Sequence, residues 1–224
     1  MSSPEQTATP IADGVATVRL ELEANVPPEL LGAFDGQAEA LAQRGAPDAP
    51  GVGDQAPRFT LPASDGTTVS LDELLADGPV VLAFYRGAWC PYCNVQLRAY
   101  QQALPEFAAR GASLVAVSPQ RPDEGEALRD AAALGFPVLT DAGAAVAADY
   151  GLAFEITATE QEPFVTAGIE VAGSNADGSW RLPTPGTFVI GQDGTILHAA
   201  IDGDFRRRAE PAVLLRALDD AAGA

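Results

Sequence analysis

The chain has 224 residues, enough for one well-packed core plus an appendage. Its formal net charge of −18 sets it against nucleic acid and anionic membrane surfaces as partners, because both are polyanions. No apolar run approaches the ~20 residues of a membrane span, and the polar, base-free start Met1–Pro10 predicts no secretory signal, so a cytoplasmic protein is expected.

In chain order, residues 1–11 are expected to be disordered. Val15 to Gln43 read as mostly helical with a break at Pro27-Pro28; Leu30, Leu31, Phe34, Ala38 and Leu41 recur as a helical apolar stripe. Gly45 to Pro57 is rich in Pro and Gly and reads as a linker. The predicted organisation is therefore 1–51 (disordered start, helical extension, linker) followed by one domain, 52–224. Within it, Arg58–Leu61 and Thr67–Ser70 flank Asp65-Gly66, a hairpin signal. Val80 to Tyr85 is a continuous apolar run, as a buried central strand requires. Leu97, Tyr100, Leu104 and Phe107 repeat at helical spacing up to Gly111, with Pro105 inside the pattern.

Beyond Gly111, Ser113–Ser118 is a second buried strand, Asp123–Leu134 a helix, Pro137–Thr140 a short strand and Ala142–Tyr150 a helix. Phe154 to Pro183 lacks clear periodicity and reads as an insertion. Thr187–Ile190 and Thr195–Ile201 flank Gln192-Asp193-Gly194 as a second hairpin, and Pro211 opens a closing helix. Alternating strands and helices imply an α/β fold, a central mixed sheet flanked by helices.

The chemistry concentrates in Phe84-Tyr85-Arg86-Gly87-Ala88-Trp89-Cys90-Pro91-Tyr92-Cys93. A buried strand ends there and a helix starts at Cys90, with Pro91 suited to the first turn. Free N–H groups and the helix dipole favour a thiolate at that point, and Arg86 offers a cation. Cys93 follows three residues on, on the same helix face and within disulfide reach. On this reading Cys90 is the exposed, low-pKa nucleophile and Cys93 the sheltered resolving thiol. Two cysteines and the lone His198 cannot fill a Cys/His zinc site, and Asn94 stands where a c-type haem motif needs His, so no metal or cofactor is expected. Arg206-Arg207-Arg208 reads as a solvated or salt-bridged surface rather than a binding patch, and Trp180 as either a cover for the site or core packing.

These motifs resemble known families. Trp89-Cys90-Pro91-Tyr92-Cys93 is similar to the thioredoxin-type motif, with the Pro-Tyr pair usual in glutaredoxins. Val52-Gly53-Asp54-Gln55-Ala56-Pro57-Arg58-Phe59-Thr60-Leu61 resembles the opening of alkyl hydroperoxide reductase/thiol-specific antioxidant proteins, and Asp202 to Pro211 resembles a bacterial peroxiredoxin-like subgroup. Thr184-Pro185-Gly186-Thr187-Phe188-Val189-Ile190 resembles the segment around the cis-proline of thioredoxin-like folds. The resemblance implies a thioredoxin-like fold with a helical N-terminal extension. It implies a cis Thr184–Pro185 bond lying against the cysteines. Trp89 reads as either part of the substrate surface or packing. The resemblance also implies a peroxidase that reduces hydroperoxides through a Cys90 sulfenic acid and a Cys90–Cys93 disulfide, recycled by thioredoxin or glutaredoxin; a homodimer is left open. Typical peroxiredoxins carry Thr or Ser three residues before the peroxidatic cysteine and a Pro before that; counted from Cys90, those places hold Gly87 and Arg86. The alternative reading is a protein thiol–disulfide oxidoreductase.

Overall fold

The computed structural model describes residues 9–223. The disorder expected of residues 1–11 falls largely outside that range, and Pro10 and Ile11 are already helical. Two helices come first, α1 (Pro10–Asn25) and α2 (Pro28–Arg44), broken at Pro27-Pro28 as the sequence predicts. A small hairpin follows, β1 (Thr60–Pro62) and β2 (Thr68–Ser70), then α3 (Leu71–Asp77), a short helix that the sequence reading did not anticipate. Next come β3 (Val80–Phe84), α4 (Pro91–Ala109), β4 (Ser113–Ser118), α5 (Pro122–Ala131) and β5 (Val138–Thr140). The helix predicted over 142–150 is a 3-10 turn, Ala142–Ala144, followed by α6 (Ala145–Asp149). Left-handed backbone at Gly143 and Ala144 separates the two.

The insertion is ordered. It runs through β6 (Ala153–Glu155), α7 (Glu162–Thr166), α8 (Val171–Ser174) and β7 (Arg181–Pro183), and antiparallel pairing of β6 with β7 closes it at its base. The chain ends in β8 (Gly186–Ile190), β9 (Ile196–Ile201) and α9 (Pro211–Ala222).

The central sheet has the order β5-β4-β3-β8-β9, with β3 parallel to β4 and antiparallel to β8. Side chains of a strand alternate between faces. Val81, Ala83 and Tyr85 accordingly enter the core under α4, α5 and α9, while Val80, Leu82 and Phe84 enter the core under α3 and α6. A strand buried on both faces reads as an unbroken apolar run, which is why Val80–Phe84 was legible.

The N-terminal helices dock on the domain. Glu210 accepts hydrogen bonds from the free N–H groups of Ile11 and Ala12 at the start of α1 (3.1 and 2.8 Å), the anion a helix N-terminus favours. Arg19 of α1 and Arg206 both bind Asp35 of α2, and Arg206 also binds Asp204. Gly203 packs so closely on the last turn of α2 that a Cβ there would collide with the Leu41 carbonyl.

That contact is backbone against backbone and cannot relax by a side-chain turn. Gly203→Ala should destabilise the protein by about 1–3 kcal/mol. Gly36→Ala, in α2 with open space around it, should instead stabilise by about 0.4–1 kcal/mol. Urea unfolding of the two variants beside the parent checks both signs.

Candidate active site

Strand β3 delivers Tyr85 and Arg86 to the start of a tight loop. Gly87 has φ +152, and a Cβ there would lie 2.5 Å from the Trp89 indole nitrogen. Glycine thus lets the indole fold back over the loop. The Gly87 carbonyl accepts the Cys90 N–H (3.1 Å), the Ala88 N–H donates to Gln120 (2.7 Å), and Asn94 donates to the Ala88 carbonyl (2.9 Å). Cys90 is the N-cap of α4, Pro91 its first residue and Cys93 its third. Both sulfurs therefore lie at a helix N-terminus, as predicted.

Both cysteines are free thiols and both are buried, so the expected exposure of Cys90 is corrected. The charge distribution is also the reverse of the expectation. Burial opposes a thiolate at Cys93. The hydrogen bond from the Cys90 thiol, the Arg208 guanidinium and the Arg86 backbone N–H overcome that opposition and bring Cys93 from an ordinary 9.0 down to about 5. The Arg208 Nη2 and the Arg86 backbone nitrogen each lie 3.5 Å from the Cys93 sulfur. Burial and then the Cys93 thiolate push Cys90 up, with Arg86 and Arg208 working against them. The pair shares one negative charge, carried by the sulfur with the donors, Cys93; Cys90 keeps the proton.

Arg86 is itself buried, and among the described residues no carboxylate pairs with its guanidinium. It lies over the rings of Phe205 (4.2 Å), Trp89 (5.0 Å) and Phe164 (5.6 Å). Burial draws it below its ordinary pKa, and the charge of the two sulfurs draws it back. Arg86, Trp89 and Cys90 share the wall of a cavity of about 530 Å³. Arg208 breaks the predicted pattern for the basic triplet. Arg206 and Arg207 are ion-paired to aspartates, while Arg208 turns its guanidinium to Cys93. It is 115 residues away in sequence, so no local signal marked it.

Two expected site residues are corrected. Among the described residues every peptide bond is trans, including Thr184–Pro185. Trans is the lower-energy isomer of X–Pro by about 0.5–1 kcal/mol. Here the bond lies where the chain passes from β7 to β8, with the Thr184 N–H taken by Leu152 (2.8 Å). Neither Thr184 nor Pro185 lines the Cys90 cavity; Pro185 borders a separate one with Thr187 and Arg208. Trp180 packs on Phe164 inside the insertion and does not reach that cavity. Among the described residues, no cluster of His, Cys, Asp and Glu could hold a metal.

A five-stranded mixed sheet with a dithiol at the β3–α4 junction defines a thioredoxin-fold dithiol protein. Residues 52–199 match the AhpC/TSA family. "Putative peroxiredoxin Rv2521" of Mycobacterium tuberculosis is 33% identical over 147 residues, covering 66% of this chain and 82% of that protein. Peroxiredoxin Bcp of Escherichia coli is 28% identical over 151 residues, 67% of this chain and 85% of that one. The crystal structure of peroxidoxin BcpB from Mycobacterium tuberculosis superposes with a TM-score of 0.61 at 26% identity, covering 76% of this chain and 97% of that one. The chain belongs to the AhpC/TSA family. It is a peroxiredoxin-like protein of the thioredoxin-like superfamily, a thiol-dependent peroxidase and so an oxidoreductase.

The shared charge sets a pH dependence. In reduced protein, ultraviolet thiolate absorbance should titrate with a midpoint near 5, the value for Cys93. Arg208→Met should move the midpoint up, and Cys93→Ser should abolish the transition there. Because folding lowers this pKa, its contribution to stability is complete above the unfolded value and is lost as pH falls through about 5. Unfolding of reduced parent and Cys93→Ser from pH 4 to 9 should therefore diverge as pH rises.

Proposed function

We propose that Cys93 and Cys90 carry out the peroxidase cycle as an unequal pair. The Cys93 thiolate attacks one peroxide oxygen, the O–O bond breaks, and Cys93 becomes a sulfenic acid. The departing alkoxide or hydroxide takes the Cys90 proton and leaves as an alcohol or water. Cys90, now a thiolate, attacks the Cys93 sulfur, expels hydroxide and closes the Cys90–Cys93 disulfide. Two electrons pass from the thiols to the peroxide, and an external dithiol restores them.

The observation that carries this reading is the donor set at the Cys93 sulfur, with the Arg86 backbone nitrogen and the Arg208 Nη2 each at 3.5 Å. Counted from Cys93, Cys90 stands three residues upstream, where typical peroxiredoxins place a hydroxyl. The thiol supplies the proton donor that Gly87 lacks. Arg208 holds the thiolate, and the caged Arg86 meets negative charge as it develops on the leaving oxygen.

The opposite order, with a Cys90 sulfenic acid resolved by Cys93, is favoured by one observation, the place of Cys90 on the cavity wall. Cys93 would then be the base that takes the Cys90 proton. Thioredoxin or glutaredoxin is the proposed reductant and the cytoplasm the proposed location; among the described residues no helix is long and apolar enough to cross a membrane. A homodimer is compatible with this cycle, which needs no second subunit.

Two experiments test the cycle. Dimedone trapping after one equivalent of peroxide should label Cys93 in Cys90→Ser, and Cys93→Ser should give neither adduct nor turnover; a Cys90 adduct in Cys93→Ser would establish the opposite order. Arg86→Met should lower peroxide turnover by about 10²-fold, the usual worth of a transition-state donor. Its loss in reducing a small disulfide should be smaller, and equal losses would favour the protein disulfide oxidoreductase.

A further inference from the structure

The cavity beside Cys90 is far larger than hydrogen peroxide requires. Its volume is about 530 Å³, whereas a water molecule occupies roughly 30 Å³ of liquid and hydrogen peroxide only about twice that. It lies in the range of small-molecule pockets, about 300–1,000 Å³. Its walls come mostly from outside the catalytic core. Leu22, Leu30 and Phe34 come from α1 and α2, both N-terminal to the family match at 52–199, and Phe164 and Ile169 come from the insertion.

The walls are fixed to the site. Phe34 meets Phe164 edge-on at 5.2 Å, and Phe164 meets Trp89 edge-on at 5.7 Å. The chain Arg19–Asp35–Arg206–Asp204 ties both N-terminal helices to the loop that carries Phe205. In the lining, Arg86 Nε and Trp89 Nε1 are buried with no hydrogen-bond partner among the described residues, and the charged groups are matched in sign. Asp35 and Arg206 neutralise one another at 2.6 Å, and Arg86 stands beside the thiolate. Among the described residues the two cations of the lining each have a counter-charge, Arg206 in Asp35 and Arg86 in the sulfurs, and the net charge of −18 repels anions.

We propose that α1, α2 and the α7 segment are the specificity element of this peroxidase. They select neutral organic hydroperoxides by the apolar bulk of the group R in ROOH, with Leu30 and Phe34 as specificity-determining residues. The proposal rests on the peroxidase reading. In the cycle above, the peroxide oxygen that leaves toward Cys90 carries R, which places R in the cavity. Each methylene buried there is worth about fourfold in kcat/KM.

The test is kcat/KM of the full chain, with dithiothreitol as reductant, for hydrogen peroxide, tert-butyl hydroperoxide, cumene hydroperoxide and an n-alkyl hydroperoxide series. The ratio of cumene hydroperoxide to hydrogen peroxide should exceed ten, and the alkyl series should climb until the cavity fills. Leu30→Gln makes the wall polar; Ala167→Trp, at an exposed position on the rim, fills the mouth without touching the core. Each should lower the ratio at least tenfold. As a readout independent of turnover, 2-phenyl-2-propanol, the alcohol product of cumene hydroperoxide, should perturb tryptophan fluorescence in the parent and not in Ala167→Trp relative to its own baseline. A parent ratio near or below one, or a ratio that neither variant moves, overturns the proposal and leaves the peroxidase standing. Absence of turnover with every peroxide overturns both.

Discussion

A single negative charge, buried and shared by two sulfurs, is the constraint around which this molecule is arranged. Burial alone would protonate both cysteines. The thiolate exists because Cys93 receives the Cys90 thiol, the Arg86 N–H and the Arg208 guanidinium. Each of those donors has its own support. Strand β3 aims Arg86, the N-cap geometry of α4 aims Cys90, and the loop after β9 aims Arg208. Gln120 and Asn94, neither of them given this role by sequence, lock the intervening loop from two sides.

The same loop after β9 does a second job. Arg206 and Asp204 hold α2 through Asp35, Glu210 holds the start of α1, and Gly203 receives the last turn of α2. Residues 203–210 therefore join the buried thiolate to the N-terminal helices. A disturbance of that loop reaches the thiolate through Arg208 and the cavity wall through Phe205 together.

What the sequence made legible was local. Val80–Phe84 is apolar throughout because both its faces are buried, and Cys90-Pro91-Tyr92-Cys93 announces a helix start because cap, proline and spacing are all within one turn. The hairpins at Asp65-Gly66 and Gln192-Asp193-Gly194 carry their own turn chemistry. What was illegible was the environment. Arg208 and Cys93 are brought together by tertiary structure, and so are the three rings around Arg86, from positions 89, 164 and 205. Spacing alone assigned the low pKa to the N-terminal cysteine because the helix N-terminus was the only field it could see; the donors that decide the matter come from elsewhere. α3 escaped because seven residues give too few turns for a period. The insertion escaped because its order comes from aromatic packing around Phe164 rather than from any repeat along the chain.

In the cycle proposed above, the aromatic cage around Arg86 also bears on how a Cys90–Cys93 disulfide would be recycled. In the reduced state the guanidinium, paired with no carboxylate among the described residues, has the thiolate as its counter-charge. Joining the two sulfurs removes that anion and leaves the cation between Phe205, Trp89 and a neutral disulfide. The reduced pair is thereby favoured over the disulfide, and the midpoint potential of the couple is driven upward, by about 30 mV for each tenfold of preference in a two-electron exchange. A disulfide held in that way is a strong electron acceptor, and a reductant of modest driving force suffices to return the enzyme to its working state.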